Sequence, residues 1–200
     1  MLTEIDGSLL QAAFPSSVLT NATLAGAEVA RHLAQQQWTD RFSVQVEREM
    51  LLIPARLSFA SLPSNLLLGD EPWLMGRALL SRSCDGFERQ LAAQDLMADL
   101  RPWGAPYVVT LIGEYIVEIM EDIHAAMTAA TEDTLATFIA SNPAFWETIK
   151  RRVPSYWNVY YRNPRGSETR RTYRRADYVG FKLVDRLEAA AFERRSILSQ

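Results

Sequence analysis

The chain holds one cysteine, Cys84, and two histidines, His32 and His124. A lone cysteine excludes an intramolecular disulfide framework and a multi-cysteine zinc site, and it suits a reducing, intracellular setting. Lysine is nearly missing, at 2 against 19 arginines. Glycine and proline number nine each, too few for a fibrous or low-complexity chain. No window approaches the ~18 consecutive apolar residues of a membrane span. The opening MLTEIDGSLL lacks the basic start and longer apolar run of a secretory signal. Gly-rich phosphate loops, dinucleotide turns and nucleophile elbows are absent; the glycines of GRALLSRSCDG match none of their spacings. No specific sign of an enzyme remains, so no catalytic, cofactor-binding or metal-binding residue is assigned, and an enzyme of unknown class is the remote alternative. The expectation is a cytoplasmic protein with no membrane segment.

What is present is an ordinary globular composition, 48% hydrophobic and 22% charged over 200 residues. That suffices for a single domain spanning residues 1–200. Its net charge of −3 hides an asymmetry. Residues 1–149 form an acidic body with 8 basic and 19 acidic side chains, whereas residues 150–200 carry 13 basic and 5 acidic ones. Such a division points to partner binding, or to a basic tail packed on its own acidic body.

Helical spacing runs through TNATLAGAEVARHLAQQQW, with Thr20 or Asn21 as cap and Leu24, Ala27, Ala30 and Ala34 on one face. FSVQVEREMLLIPARLSF alternates apolar and polar residues and predicts a β-hairpin between Phe42 and Phe59, with Pro54 pushing one strand to an edge. A helix with Trp38, Phe42, Val46 and Met50 in one row is the alternative. SLPSNLLLGDEP is loop material, and Pro72 suits the first turn of a following helix. That helix breaks at Asp85-Gly86. The next keeps helical spacing through Phe87, Leu91, Ala92, Leu96 and Leu100.

PYVVTLIGEYIVEIMEDIHAAM predicts one helix from Pro106 to Met127, about 33 Å long at ~1.5 Å per residue. Val108, Ile112, Tyr115, Ile116, Ile119, Ile123 and Met127 share one face, and Glu114, Glu118 and Glu121 lie opposite as a solvated acidic strip. Thr131 is the expected cap of the next helix, and Asn142 with Pro143 opens another, which Pro154 must kink or end. Trp146, Ile149, Val153, Trp157 and Tyr160 fit one buried row. RNPRGSETRR is a loop before a final helix of about 20 residues.

RALLSRSCDGFERQLAAQDLM, with Asp85 in the interhelical turn and Arg89 just after it, resembles the helix pairs of HEAT-type repeat proteins over Arg77 to Met127. At the repeat's spacing of about 40–47 residues only TEDTLATFIA is a faint candidate for a second copy. The resemblance implies a mainly α fold, a short stack of antiparallel helices (a HEAT-like α–α superhelix) beside the early hairpin. It also implies a binding surface.

Two constellations remain. Glu121 and His124 share the spacing of di-iron bundles, but those need a second such motif and further inward glutamates. Cys84 has no base placed beside it and reads as a partly buried structural thiol. Arg162, Arg165, Arg170, Arg171, Arg174 and Arg175 cluster around the glycine-bearing loop, opposite in charge to Glu114, Glu118 and Glu121. These nine residues are the candidate partner-binding set. The partner expected first is another protein; nucleic acid, gripped by the Arg/Tyr-rich segment, is the alternative.

Overall fold

A computed structural model describes residues 5–35, 37, 39–62, 69–162 and 171–198. Trp38, Arg165, Arg170, half of the SLPSNLLLGDEP loop and most of the RNPRGSETRR loop therefore lie outside the described residues.

The fold is mainly α with one two-stranded antiparallel hairpin, as the spacing of apolar residues predicts. In order come α1 (Gly7–Gln11), α2 (Leu19–Ala30), β1 (Arg41–Val46), β2 (Glu49–Pro54), α3 (Asp70–Leu80), α4 (Gly86–Ala98), α5 (Ala105–Ile112), α6 (Val117–Ala125), α7 (Ala129–Ser141), α8 (Pro143–Tyr156) and α9 (Val179–Leu198). A π-helical turn, Trp157–Arg162, extends α8. Neighbouring helices pack in a chain from α1 through α2, α3, α4 and α6 to α9, which also rests on α7. Gly26 lets α1 and α2 meet closely: a Cβ there would lie 2.8 Å from the Gly7 carbonyl oxygen. No helix among the described residues is long and apolar enough to cross a membrane.

Within the hairpin, Val44, Val46, Leu51 and Ile53 face the core, and Arg41 pairs with Pro54 at the strand end. Glu47 and Arg48 make the turn, both at positive φ. Asn142 anchors the free edge of β1. Its Oδ1 accepts from the Gln45 N–H at 2.7 Å, and its Nδ2 donates to the Gln45 carbonyl at 2.8 Å. The side chain expected to cap α8 thus acts as a surrogate strand partner.

Several local expectations give way. α2 starts through a 3-10 turn without a side-chain cap from Thr20 or Asn21, ends at Ala30 and buries Ala22, Ala25 and Val29 while Leu24 is exposed. Ala34 instead donates its N–H to Ser58. α4 buries Arg89, Ala92, Ala93, Leu96 and Met97 and leaves Phe87 and Leu91 outside. Thr128, not Thr131, caps α7, with Thr131 returning the bond in a capping box. Cys84 is exposed, its Sγ 3.4 Å from Ser58 Oγ, rather than a partly buried thiol.

Candidate functional site

The predicted helix from Pro106 to Met127 is two helices. α5 stops at Ile112, and Gly113 to Ile116 form a break before α6. Ile116, in extended conformation, precedes α6. Backbone groups freed by the break need partners, and Tyr161 supplies them from the π-helical turn. Its hydroxyl accepts from the Val117 N–H at 3.1 Å and donates to the Tyr115 carbonyl.

The break swings Glu114 inward, which overturns its placement on a solvated strip. Glu114 is 4% exposed. Arg89 Nε lies 2.7 Å from Glu114 Oε2, Arg56 Nη2 2.7 Å from Oε1, and Arg82 Nη2 3.7 Å from Oε1. Arg82 and Arg89 are themselves buried. Arg89 Nη1 donates to the carbonyls of Ser83 and Cys84, and Arg82 Nη2 donates to that of Ala55. The short Arg89–Glu114 contact is not an aligned hydrogen bond, nor does either Glu114 oxygen accept one among the described residues. Attraction here is Coulombic and strengthened by burial. Burial also pushes the Arg82 guanidinium down to about 10, against the opposing pull of Glu114. Arg56 and Arg82, in the mostly apolar stretches LIPARL and ALLSRS, were the available signal that one carboxylate had to turn inward.

Three clefts meet at the break. The first, about 350 Å³, is lined by Tyr115, Ile116, Val117, Glu118, Tyr160, Tyr161 and Arg171. A second, about 520 Å³, lies between Ile116, Glu118 and the start of α4 at Asp85, Gly86, Phe87 and Gln90. The third, about 400 Å³, opens on the opposite side of Glu114 and Tyr115 toward Arg41, Arg56, Arg82 and Arg152. Gly86 permits the close approach between α4 and the break, since a Cβ there would sit 2.7 Å from Ile116 Cδ1. Asp85 caps α4 by accepting from the Phe87 and Glu88 N–H groups.

The other candidate residues divide. Glu118 is exposed as expected. Glu121 is half-buried; it accepts from Tyr173 Oη at 3.0 Å and pairs with Arg171 Nη1 at 3.2 Å. Arg175 lies over the Phe181 ring at 4.1 Å and Arg162 over Trp157 at 5.6 Å. Arg174 is exposed and borders a separate cleft with Thr172 and Asp177. The basic tail reaches the acidic body elsewhere too, through Arg186–Glu132 at 2.6 Å and an Arg194–Asp133 pair. The tyrosines of this segment pack on one another: Tyr161 meets Tyr173 and Tyr178, and Tyr178 meets Phe181. Trp157 Nε1 donates to the Tyr173 carbonyl.

Among the described residues no group of three or more His, Cys, Asp or Glu side chains is placed to hold a metal ion. Comparison with protein-family models, curated proteins and solved structures finds no match for this chain.

Proposed function

We propose that the chain is a cytoplasmic protein-interaction module that seats a segment of a partner protein in the cleft between the start of α4 and the α5–α6 break. The observation that carries this reading is Phe87, 80% exposed at the cleft rim, with Leu91 50% exposed one turn along the same helix. Contiguous exposed apolar surface beside a cleft is a mark of interaction sites, and Phe87 and Leu91 lie four residues apart on one helix. The cleft wall supplies Ile116, and Glu118 adds negative charge. A partner segment with an apolar anchor next to a basic side chain fits that arrangement. The sequence resemblance to HEAT-type helix pairs supports the same kind of role.

Tagged protein recovered from its native host under nuclease treatment tests the proposal. Wild type should retain a defined protein, and Phe87→Ala should lose it while melting at the same temperature. Equal retention by both sinks the idea.

Nucleic-acid binding is the second reading, carried by the exposed Arg174 and the arginine-rich segment around it. Arg171, Arg162 and Arg175 are engaged with groups of their own chain, which favours the protein partner. Binding of short DNA or RNA tighter than about 10 μM at about 150 mM salt, falling steeply with added salt, would reverse that preference. Loss of such binding on replacing Arg162, Arg174 and Arg175 by alanine would locate it.

A further inference from the structure

Three guanidinium groups, those of Arg56, Arg82 and Arg89, surround the single carboxylate of Glu114. Two of the three are nearly fully buried. One carboxylate cannot balance them, and buried unbalanced charge is costly. The positive excess opens into the cleft of about 400 Å³, where Arg41 and Arg152 add two exposed guanidiniums and Asp40 one carboxylate. At the floor, Arg82 Nε and Nη1 are buried with no hydrogen-bond partner among the described residues. Four arginines from four separate segments therefore line one concavity: Arg82 is buried, Arg56 partly exposed, and Arg41 and Arg152 exposed.

Guanidinium forks match the oxygens of a phosphate group, which they bind in paired hydrogen bonds. A doubly charged oxyanion would offset the excess that Glu114 leaves. The cleft also has an aromatic wall. Tyr115 is 43% exposed, and its ring centroid lies 6.1 Å from that of Tyr156. Both tyrosines line the cleft as an edge-to-face pair with 61° between their planes, so a flat ring attached to the phosphate has aromatic surface to pack beside. A volume of about 400 Å³ suits a small molecule, which separates this site from one built for a polymer.

We infer that this cleft binds a phosphate monoester carrying a flat ring, the chemistry of a nucleoside monophosphate. The site shares no lining residue with the Phe87 cleft, so the two assignments stand or fall separately.

Calorimetric titration with adenosine 5′-monophosphate, inorganic phosphate and adenosine tests it. The monophosphate should bind, inorganic phosphate should bind at least about tenfold more weakly, and adenosine should not bind at all. The Arg41→Ala/Arg152→Ala double variant should lose at least about tenfold in affinity while melting as wild type does, because both side chains are at the surface. If that variant melts early, Tyr156→Ala takes its place: it should lose the preference for the monophosphate over inorganic phosphate. Absence of binding by either phosphate up to about 10 mM, well into the weak range, overturns the site. Undiminished affinity in the folded double variant overturns its location. Equal affinity for phosphate and monophosphate overturns the role given to the tyrosines.

Discussion

Arg89 Nε and Glu114 Oε2 lie 2.7 Å apart in the interior, joining the start of α4 to the break between α5 and α6. Removing one member of such a pair strands the other's charge. Glu114→Gln should therefore destabilise the protein by about 3–5 kcal/mol, because Arg89 and Arg82 would stay buried without a counter-charge. Urea unfolding of the variant against wild type measures this. A loss no greater than that of Glu118→Gln would mean that Glu114 is effectively solvated.

Two neighbours on α6 give the complementary contrast. Ile119 is fully buried, and Ile119→Asp should prevent stable folding by placing a lone carboxylate in the core. Glu118 is exposed, so Glu118→Ala should stay within about 0.5 kcal/mol of wild type. Circular dichroism melts of the two variants check the facing of the helix, and reversed outcomes would turn it around.

Apolar periodicity carried the helical class and the β-hairpin, yet it concealed the break at Gly113. Both α5 and α6 are helical, and Ile112, Ile119 and Ile123 remain buried, so the pattern survives the interruption. What bends the chain is not local. Glu114 turns toward arginines that arrive from just after β2, just after α3 and from α4, and Tyr161 closes the break from 46 residues away. On α4, Arg89, Ala92, Ala93, Leu96 and Met97 fill the inner face, while Phe87 and Leu91 stay outside. Helical spacing on α4 groups the buried Ala92 and Leu96 with the exposed Phe87 and Leu91, so spacing alone does not separate the two faces there. The docking of the basic tail on the acidic body was legible as charge asymmetry, though which arginine meets which carboxylate was not.

Asn142 joins α7 and β1 through one amide group, bonding Gln45 and the Phe138 carbonyl. Asn142→Ala leaves the Gln45 N–H and carbonyl without those bonds in a partly buried place. A loss of about 1–3 kcal/mol is expected, the range for orphaned buried polar groups. Hydrogen exchange at the Gln45 amide should quicken beyond what the loss in global stability explains. Unchanged protection would remove Asn142 from its role at the strand edge.

Glu49 ties β2 to the turn before α2. Its carboxylate accepts from the Ser16 hydroxyl at 2.6 Å and the Ser16 N–H at 3.0 Å. These bonds, the hydroxyl's first, hold the Glu49 carboxyl below its ordinary value of 4.5. A lowered folded value means a contribution fully present above the unfolded value and lost as pH falls through the folded one. Wild type should thus be more stable than Glu49→Gln at neutral pH, and the gap should close on acidification. A gap that widens toward acid pH would contradict the assignment.

The hairpin turn offers a gain in stability. Glu47 and Arg48 have φ of 50° and 69°, the left-handed region in which side chains are disfavoured. Two-residue hairpin turns of this shape are usually made by Asn-Gly, because glycine has no Cβ to clash. Glu47 has a compensating role, since its carboxylate accepts from the Ser17 hydroxyl at 2.6 Å. Arg48 is exposed at the same turn, which makes it the better position to change. Arg48→Gly relieves about 1–2 kcal/mol of left-handed strain and returns about 0.5–1 kcal/mol as added freedom of the unfolded chain. The net gain should raise the melting temperature by about 1–4 °C in a domain of this size. Arg48→Val should lower it, because a β-branched side chain tolerates positive φ worst. Calorimetric melts of the two variants decide the matter: a fall for glycine with no fall for valine would show that the turn carries no strain at this position.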